Sequence, residues 1–285
     1  DLDLAIERIP SFSTQANGRV SKEVAQLFKA RVALYEGTWE KYHAGTAFAG
    51  EGDVRKYLTA ARDASLAVIN SGLFSLDNVG VKDGYHLLFN QHDYSNSNEV
   101  MLWRKYDSRN IAWNGQGVGL TRWLVDSYLC IDTDGKAKPI SLASNYQGDD
   151  NLLKVIANRD PRLTQTMYAP GRPRTIKDGR DTLVIFTKPS INRTDGEKCA
   201  TGYEMAKGLD PDDAEQIYVG VATKATVIFR YAEALLIYAE ARAELGELTQ
   251  VDLDLTINKL RERVGMPHLT IDPGYTDNRG EFTAA

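Results

Sequence analysis

The sequence contains little cysteine and histidine. Two cysteines, Cys130 and Cys199, and four histidines occur among 285 residues. The cysteines have no CxxC spacing, so they indicate no metal site, while a single disulfide between them stays open. The histidines lack HExxH spacing, which gives no indication of a zinc hydrolase centre. The redox compartment is therefore undecided from composition, and no cofactor or metal is predicted.

Long apolar runs and basic blocks are also missing. No run of about 18 apolar residues exists, so no segment is predicted to cross a bilayer as a helix. The formal net charge is -5 and no stretch is rich in Lys and Arg, which argues against nucleic acid as a partner. A hydrophobic fraction of 42% suffices for a sizeable core in one large or two smaller domains. The chain begins without Met and ends in a helix-like start, so we expect a piece of a longer protein.

The clearest helical pattern predicts a hairpin over residues 225–267. Apolar and small side chains recur at helical spacing from 228 to 245, and Gly246 can take the left-handed conformation that ends a helix. Thr249 is a suitable N-cap for a second helix, whose apolar stripe continues to Val264. Small alanines on the first helix favour close packing, as in tetratricopeptide-type pairs.

A second hairpin is predicted over residues 18–76. Ser21 is expected to cap its first helix and Gly37 to end it, and a second helix is predicted over 53–70. The preceding residues 1–17 carry few signals and are predicted to be a connector. The packing face of the first helix is expected to contain Val24, Leu27, Phe28, Arg31, Val32 and Tyr35.

Residues 77–224 lose helical periodicity. Short β-like runs over 99–106 and 181–187 stand among many Gly and Pro residues, which predicts loops with small strands. The fold class is therefore mostly α, with tetratricopeptide-like helical hairpins and a loop-rich insertion. Residues 268–285 are taken as a truncated end.

Four separated stretches, in the expected order, resemble the SusD/RagB family. They are ARVALYEGTW with AVINSGLFSL (residues 30–39 and 67–76), LVDSY, DGK and PI (within 124–140), NRDPRL (158–163), and RYAEALLIYAEA with INKLRERVGMP (230–241 and 257–267). The resemblance implies one SusD-like domain over residues 1–285. It also implies a surface lipoprotein of the outer membrane, of the Bacteroidetes type, that binds glycans without cleaving them. The partner implied is a SusC-like TonB-dependent transporter, with the lipid anchor outside this sequence.

Aromatic side chains are enriched in the loop-rich region. The segment 85–128 contains Tyr85, Phe89, Tyr94, Trp103, Tyr106, Trp113, Trp123 and Tyr128. Many Asn and Gln residues lie between them, so flat apolar rings and amide groups occur together. A pyranose ring needs this combination, because its C–H face can stack on an aromatic ring while its hydroxyls bond to amides.

Four residues are the predicted ligand contacts. Trp113 and Asn114 come first, because Gly residues flank them and no apolar periodicity accounts for a tryptophan there. Tyr94 and Tyr106 follow, each in a polar stretch. Packing is favoured for Trp103, in a strand-like run, and for Trp123, in a helix-like run.

Catalytic sites are not indicated. The run GQGVG has no strand-turn-helix context for a dinucleotide, and no G-x-S-x-G elbow exists. The acids at 132 and 134 favour a turn over a calcium loop. Three alternatives to glycan capture stay open: a RagB-like peptide binder, an intracellular helical-repeat adaptor, and a glycosidase whose acid pair cannot be singled out.

Overall fold

The computed structural model describes residues 1–50, 52–78, 80–107, 118–177, 181–194, 198–215 and 222–276. The chain divides into two compact units. Unit 1 comprises residues 1–78, 93–104 and 226–260, and unit 2 comprises residues 79–92, 105–225 and 261–285. Both predicted hairpins fall in unit 1 except for the last residues of the second.

Helices make up most of the regular secondary structure of the described residues. The helices are α1 (Leu2–Arg8), α2 (Lys22–Tyr42), α3 (Val54–Asn70), α4 (Gly84–Leu87), α5 (Arg122–Ser127), α6 (Leu152–Ile156), α7 (Arg162–Thr166), α8 (Tyr231–Glu244), α9 (Gln250–Leu255) and α10 (Ile257–Glu262). The strands are β1 (Val100–Arg104), β2 (Cys130–Ile131), β3 (Ala137–Lys138), β4 (Pro173–Lys177), β5 (Asp181–Ile185) and β6 (Thr226–Arg230). The mostly α fold class with short strands is thereby confirmed.

Unit 1 is built on the two hairpins. Helix α3 packs against both α2 and α8, and alanines from all three helices lie in one apolar core. Small side chains let these helices approach closely, which is how paired helical repeats bury a common face. Ser21 caps α2 as predicted, and Asp53 caps α3, since each side chain accepts a backbone N–H bond.

The predicted end of α2 is wrong. The helix continues past Gly37 to Tyr42, and Gly37 is buried inside it. A Cβ atom at this position would lie 2.7 Å from Cδ2 of Leu58 on α3. Glycine is therefore present to admit a neighbouring helix and not to terminate its own.

The predicted packing face of α2 is right only in part. Val24 and Leu27 are buried in the core. Phe28, Val32 and Tyr35, by contrast, lie on a second, exposed side of the helix. The stripe continues with Trp39 and Tyr42, which are also exposed. We call these five residues the α2 stripe.

The second hairpin differs from the prediction at two points and agrees with it at two others. Ile228 lies in strand β6 and not in a helix, because the chain pairs with β1 before α8 begins. The helix after Thr249 is divided at Thr256 into α9 and α10. The predicted cap is confirmed in a stronger form, since Thr249 and Asp252 form a capping box. Gly246 has a positive φ of 72° after α8, as expected.

Residues 1–17 are not simply a connector, since they contain helix α1. Both predicted strand regions are confirmed as β1 and β5. Cys130 and Cys199 are buried free thiols, so no disulfide joins them. None of the described helices has the length and apolar character that a transmembrane segment needs.

Unit 2 is loop-rich, and its described residues include three small apolar clusters. One holds Val125 of α5 together with Leu163 of α7, a second holds Tyr168 and Phe186, and a third holds Ala137 and Val264. Asp160 accepts hydrogen bonds from the backbone and the guanidinium of Arg162, which holds the turn before α7.

Candidate functional site

The four predicted ligand contacts do not form one described cluster. Trp113 and Asn114 lie outside the described residues. Tyr106 is half-buried in unit 2. Tyr94 belongs to unit 1, where only 1% of its surface is exposed and its ring meets Trp103 edge-on at 6.3 Å. This conformation offers a soluble ligand no face of the Tyr94 ring.

Helix α5, shortly after Trp113 in the chain, carries a different tryptophan to the surface. Trp123 is 65% exposed, the largest value among the three tryptophans that the structure describes. Val125, two positions later, is fully buried in the apolar core of unit 2. Residues two positions apart on an α-helix point in directions about 200° apart, so the burial of Val125 turns Trp123 outward.

The start of α5 is fixed by backbone pairing. Leu120 N–H donates to the Tyr203 carbonyl at 2.7 Å, and Met205 N–H donates to the Val118 carbonyl at 2.8 Å. Between them, Gly119 has no room for a side chain, since a Cβ atom would lie 2.2 Å from Thr201 Oγ1. Trp123 therefore lies on a short helix whose start is held in place by these contacts.

The other end of α5 is held by a buried arginine. The Arg159 guanidinium donates to the carbonyl of Val125 at 2.6 Å and to that of Tyr128 at 2.8 Å. A cation is favoured there because the last carbonyls of a helix carry partial negative charge. Arg159 also donates to the Val155 carbonyl of α6 at 3.1 Å.

Charged groups lie beside Trp123. Arg122 donates through Nε to Asp126 at 2.8 Å, and its Nη1 lies 2.5 Å from Oδ2 of Asp149. Hydrogen bonds to Asp126 and then to Asp149 raise the pKa of Arg122, so the guanidinium stays protonated. We call Arg122, Trp123, Asp126 and Asp149 the α5 site.

Two phenol groups lie within electrostatic range of the α5 site. Burial raises the pKa of Tyr146, with Asp126 and Asp149 adding to the effect, so this phenol is neutral at pH 7. Tyr203 interacts electrostatically with Arg122. The site thus combines one exposed indole face with carboxylate acceptors, a guanidinium donor and nearby phenol hydroxyls. These are the groups that orient a polyhydroxylated ligand against a ring.

No cluster of three or more His, Cys, Asp or Glu side chains able to hold a metal ion occurs among the described residues. Asp132 lies at the start of the predicted turn, where hydrogen bonds from Lys138, Ser144 and Thr133 hold its carboxylate and depress its pKa well below its usual range.

Unit 1 has an open groove with a volume of about 750 Å³, where α1, α2 and α3 meet. Its lining includes three carboxylates and three cations: Asp3, Asp53, Asp63, Lys29, Arg55 and Lys56. No aromatic side chain lines it, so it lacks the flat surface on which a sugar ring would stack. The mixed charges fit a zwitterionic or peptide-like ligand better.

Sequence reasoning placed Trp123 in packing because its stretch is helical. The missed signal is the two-residue spacing between Trp123 and Val125. Residues two positions apart lie on nearly opposite sides of a helix, so burial of Val125 directs Trp123 outward. The pairing of Arg122 with Asp149 carried no sequence signal, because the two residues belong to different elements.

Comparison with solved structures confirms the fold. A SusD-like protein from Bacteroides fragilis matches 96% of this chain and 53% of its own, with 22% identity and a TM-score of 0.68. A second protein from the same species, described as a SusD-like carbohydrate binding protein, matches 96% and 51%, with 23% identity and a TM-score of 0.65. The surface glycan-binding protein A from Bacteroides uniformis matches 98% and 52%, with 15% identity and a TM-score of 0.53.

The chain therefore spans about half the length of these solved relatives. No protein of curated function matches it significantly. The model of the SusD family, however, matches residues 83–283, which is well over half of the sequence. The family resemblance seen in the sequence is confirmed on this match: the chain belongs to the SusD family.

Proposed function

We propose that this protein captures oligosaccharides at a cell surface without cleaving them, and that the α5 site contacts the sugar. The observation that carries the proposal is the 65% exposure of Trp123 on a helix fixed at both ends. Burial of a large apolar side chain stabilises by roughly 1.5–3 kcal/mol, so an exposed indole on a fixed helix has this free energy available for binding a ligand. Membership of a family with a carbohydrate-binding relative supports a glycan as that ligand.

The chemistry of the site suits capture followed by release. The C–H face of a sugar ring would lie on Trp123, while Asp126 and Asp149 accept hydrogen bonds from hydroxyl groups. Arg122, held on two sides, would donate to ring or hydroxyl oxygens without needing to reorient. Trp113, Asn114 and Tyr106 are proposed to add further contacts. Tyr94 is omitted because its ring is buried.

The partner is proposed to be a SusC-like TonB-dependent outer-membrane transporter, with this protein anchored by a lipid attached outside the present sequence. Family membership is the main support. The α2 stripe adds to it, because several exposed aromatic and aliphatic side chains on one helix are typical of a protein-binding surface. Tyr35→Asp in the stripe should reduce copurification with the transporter encoded beside this protein, while glycan binding is retained. Unchanged copurification would contradict this assignment of the stripe.

Glycan binding is tested on an array of neutral and charged oligosaccharides, with reducing-sugar release measured in parallel. The proposal expects saturable binding and no release. Binding to no glycan would overturn it, and release of reducing ends would replace it with a glycosidase.

A RagB-like peptide ligand is the second candidate. The charged groove of unit 1 favours it, because three cations and three carboxylates could pair with both ends of a short peptide. A peptide library applied beside the glycan array separates the two. Peptide binding that Lys29→Ala weakens, without any glycan signal, would favour this alternative.

A further inference from the structure

Arg261, in the last turn of α10, is a buried arginine of unit 2. Only 6% of its surface is exposed. Among the described residues, no oxygen atom accepts a hydrogen bond from its guanidinium, and no carboxylate lies within ion-pair distance of it. A guanidinium carries five N–H donors and stays protonated in proteins. A buried charge with no acceptor is unfavourable, so an acceptor that reaches these donors is bound favourably.

The backbone of Arg261 is held in place. Its carbonyl accepts hydrogen bonds from the N–H groups of Val264 at 3.1 Å and Met266 at 2.9 Å. Val264 and Met266 are themselves buried in an apolar cluster with Ala137. The guanidinium is therefore attached to a fixed point of the fold, and a ligand that binds it does not have to order a loose segment.

The charged side chains of Asp160 and Arg162 lie within electrostatic range of Arg261. Both oxygens of the Asp160 carboxylate bind Arg162, whose Nε donates to Oδ1 at 3.0 Å and whose Nη2 donates to Oδ2 at 2.5 Å. Burial lowers the pKa of Arg261. Tyr275 and Asp160 oppose this shift, while Arg162 adds to it because it carries the same charge. Asp160 is thus bound to Arg162, and the donors of Arg261 are left for a ligand.

We propose that Arg261 is the centre of a binding site for a single carboxylate group, which we call the Arg261 site. The planar fork of N–H donors matches the two oxygens of a carboxylate, which accepts two parallel hydrogen bonds. Asp160 disfavours groups with a higher negative charge, so a carboxylate is preferred over a phosphate dianion. The small exposed fraction of Arg261 favours a ligand that presents its carboxylate at a slender end. The inference goes beyond glycan capture and does not depend on the α5 site.

The test titrates acetate and glucuronate against this chain at pH 7, with sodium chloride added so that the ionic strength stays constant. A carboxylate that binds only the folded state stabilises it by mass action. At about ten times the Kd, the unfolding midpoint should therefore rise by about 3–6 °C and then level off as the site fills. Phosphate and sulfate at the same ionic strength should give a smaller rise.

Three variants make the test specific to the Arg261 site. Arg261→Met keeps an apolar stem of similar length and removes the donors, so it should abolish the response to acetate. Without acetate its stability should be unchanged or higher, because it removes a buried charge that has no acceptor. Arg261→Lys keeps the charge but loses the planar fork, and should bind acetate about tenfold more weakly. Arg19→Met, at an exposed position of unit 1, removes one positive charge and should leave the response as it is.

Two sources can supply the carboxylate: a free acid, or an Asp or Glu of a longer form of the protein, since this chain spans about half the length of its solved relatives. A longer form that responds to acetate as this chain does identifies a free acid as the ligand. A longer form that does not respond, and that Arg261→Met destabilises, identifies a carboxylate of the protein itself. Both results support the Arg261 site once this chain has responded.

The remaining outcomes are decisive. A saturable effect of acetate that Arg19→Met retains and Arg261→Met loses supports the inference. If Arg261→Met does not fold, weaker acetate binding by Arg261→Lys supports it in the same way. Absence of a saturable effect of either acid on this chain overturns the inference, as does an effect that Arg261→Met or Arg261→Lys leaves unchanged. Tighter binding of phosphate than of acetate also overturns it. None of these results touches glycan capture, which the array tests separately.

Discussion

Glu99 and Arg230 form an ion pair across 131 residues of sequence, with Nη1 of Arg230 2.7 Å from Oε1 of Glu99. Glu99 is completely buried, and its second oxygen accepts the backbone N–H of Asp77 at 3.0 Å. The pair joins the residue before β1 to the residue that precedes α8. This ion pair therefore holds the start of the second hairpin at the β1–β6 sheet of unit 1.

Removing this carboxylate should destabilise unit 1 strongly. Glu99→Ala removes the fully buried carboxylate that pairs with the mostly buried Arg230, and breaking a buried ion pair typically costs about 3 kcal/mol in free energy of unfolding. Urea denaturation measures the change. The matched control is Asp150→Asn, which removes the exposed partner of Lys154 and should cost less than about 0.5 kcal/mol. Equal effects of the two substitutions would refute the buried role of Glu99.

Gly37→Ala should also destabilise, although alanine normally favours a helix over glycine by about 1 kcal/mol. The new Cβ atom would lie 2.7 Å from Leu58 Cδ2 and 3.1 Å from the Leu58 backbone nitrogen. Overpacking of this kind costs about 1–3 kcal/mol. Lys22→Ala, at an exposed position of the same helix, should change stability by less than about 0.5 kcal/mol. A rise in the unfolding midpoint for Gly37→Ala would show that α2 and α3 do not approach as described.

Acid should unfold unit 2 partly through His86. Burial and the nearby Arg172 lower the pKa of His86 from 6.5 to about 3. At pH values between these two pKa values, the imidazole of His86 is therefore protonated in the unfolded state but not in the folded state. The contribution of neutral His86 to the free energy of unfolding is fully present above pH 6.5. It falls by about 1.4 kcal/mol per pH unit as the pH decreases towards 3.

The variant His86→Gln tests this sign. Between pH 6.5 and 4.5 the unmodified protein should lose about 3 kcal/mol more than the variant. Carboxylates titrate in both proteins, so only the difference between the two pH profiles is informative. Parallel profiles would mean that His86 is free to protonate in the folded state.

Much of the helical frame could be predicted from the sequence. Helical spacing identifies α2, α3 and α9, and Ser21 and Thr249 could be recognised as caps because capping is a local interaction. Gly37 misled the prediction, since its role is set by Leu58 on another helix. Ile228 misled it for a related reason: pairing with β1 overrides a short apolar pattern that suits strand and helix equally.

The binding surface was harder to predict. Apolar periodicity alone cannot distinguish the buried side of α2 from the exposed α2 stripe, because both have apolar residues at helical spacing. Enrichment of aromatics in residues 85–128 identified the region that contains Trp123 but not which of its rings is exposed. Trp103 and Tyr94 pack against each other, whereas Trp123 is turned outward by the burial of Val125. Assignment of Trp113, Asn114 and Tyr106 stays a prediction.

The central claim is tested most directly by the affinity of Trp123→Ala for the tightest-binding oligosaccharide on the array, measured by calorimetry. Trp39→Ala, which removes an exposed tryptophan from unit 1, serves as the control. We expect a loss of at least about tenfold, or ~1.4 kcal/mol, for Trp123→Ala with an unchanged unfolding midpoint, and less than about twofold for Trp39→Ala. A loss of under about twofold for Trp123→Ala would contradict the α5 site as the place where sugar is bound.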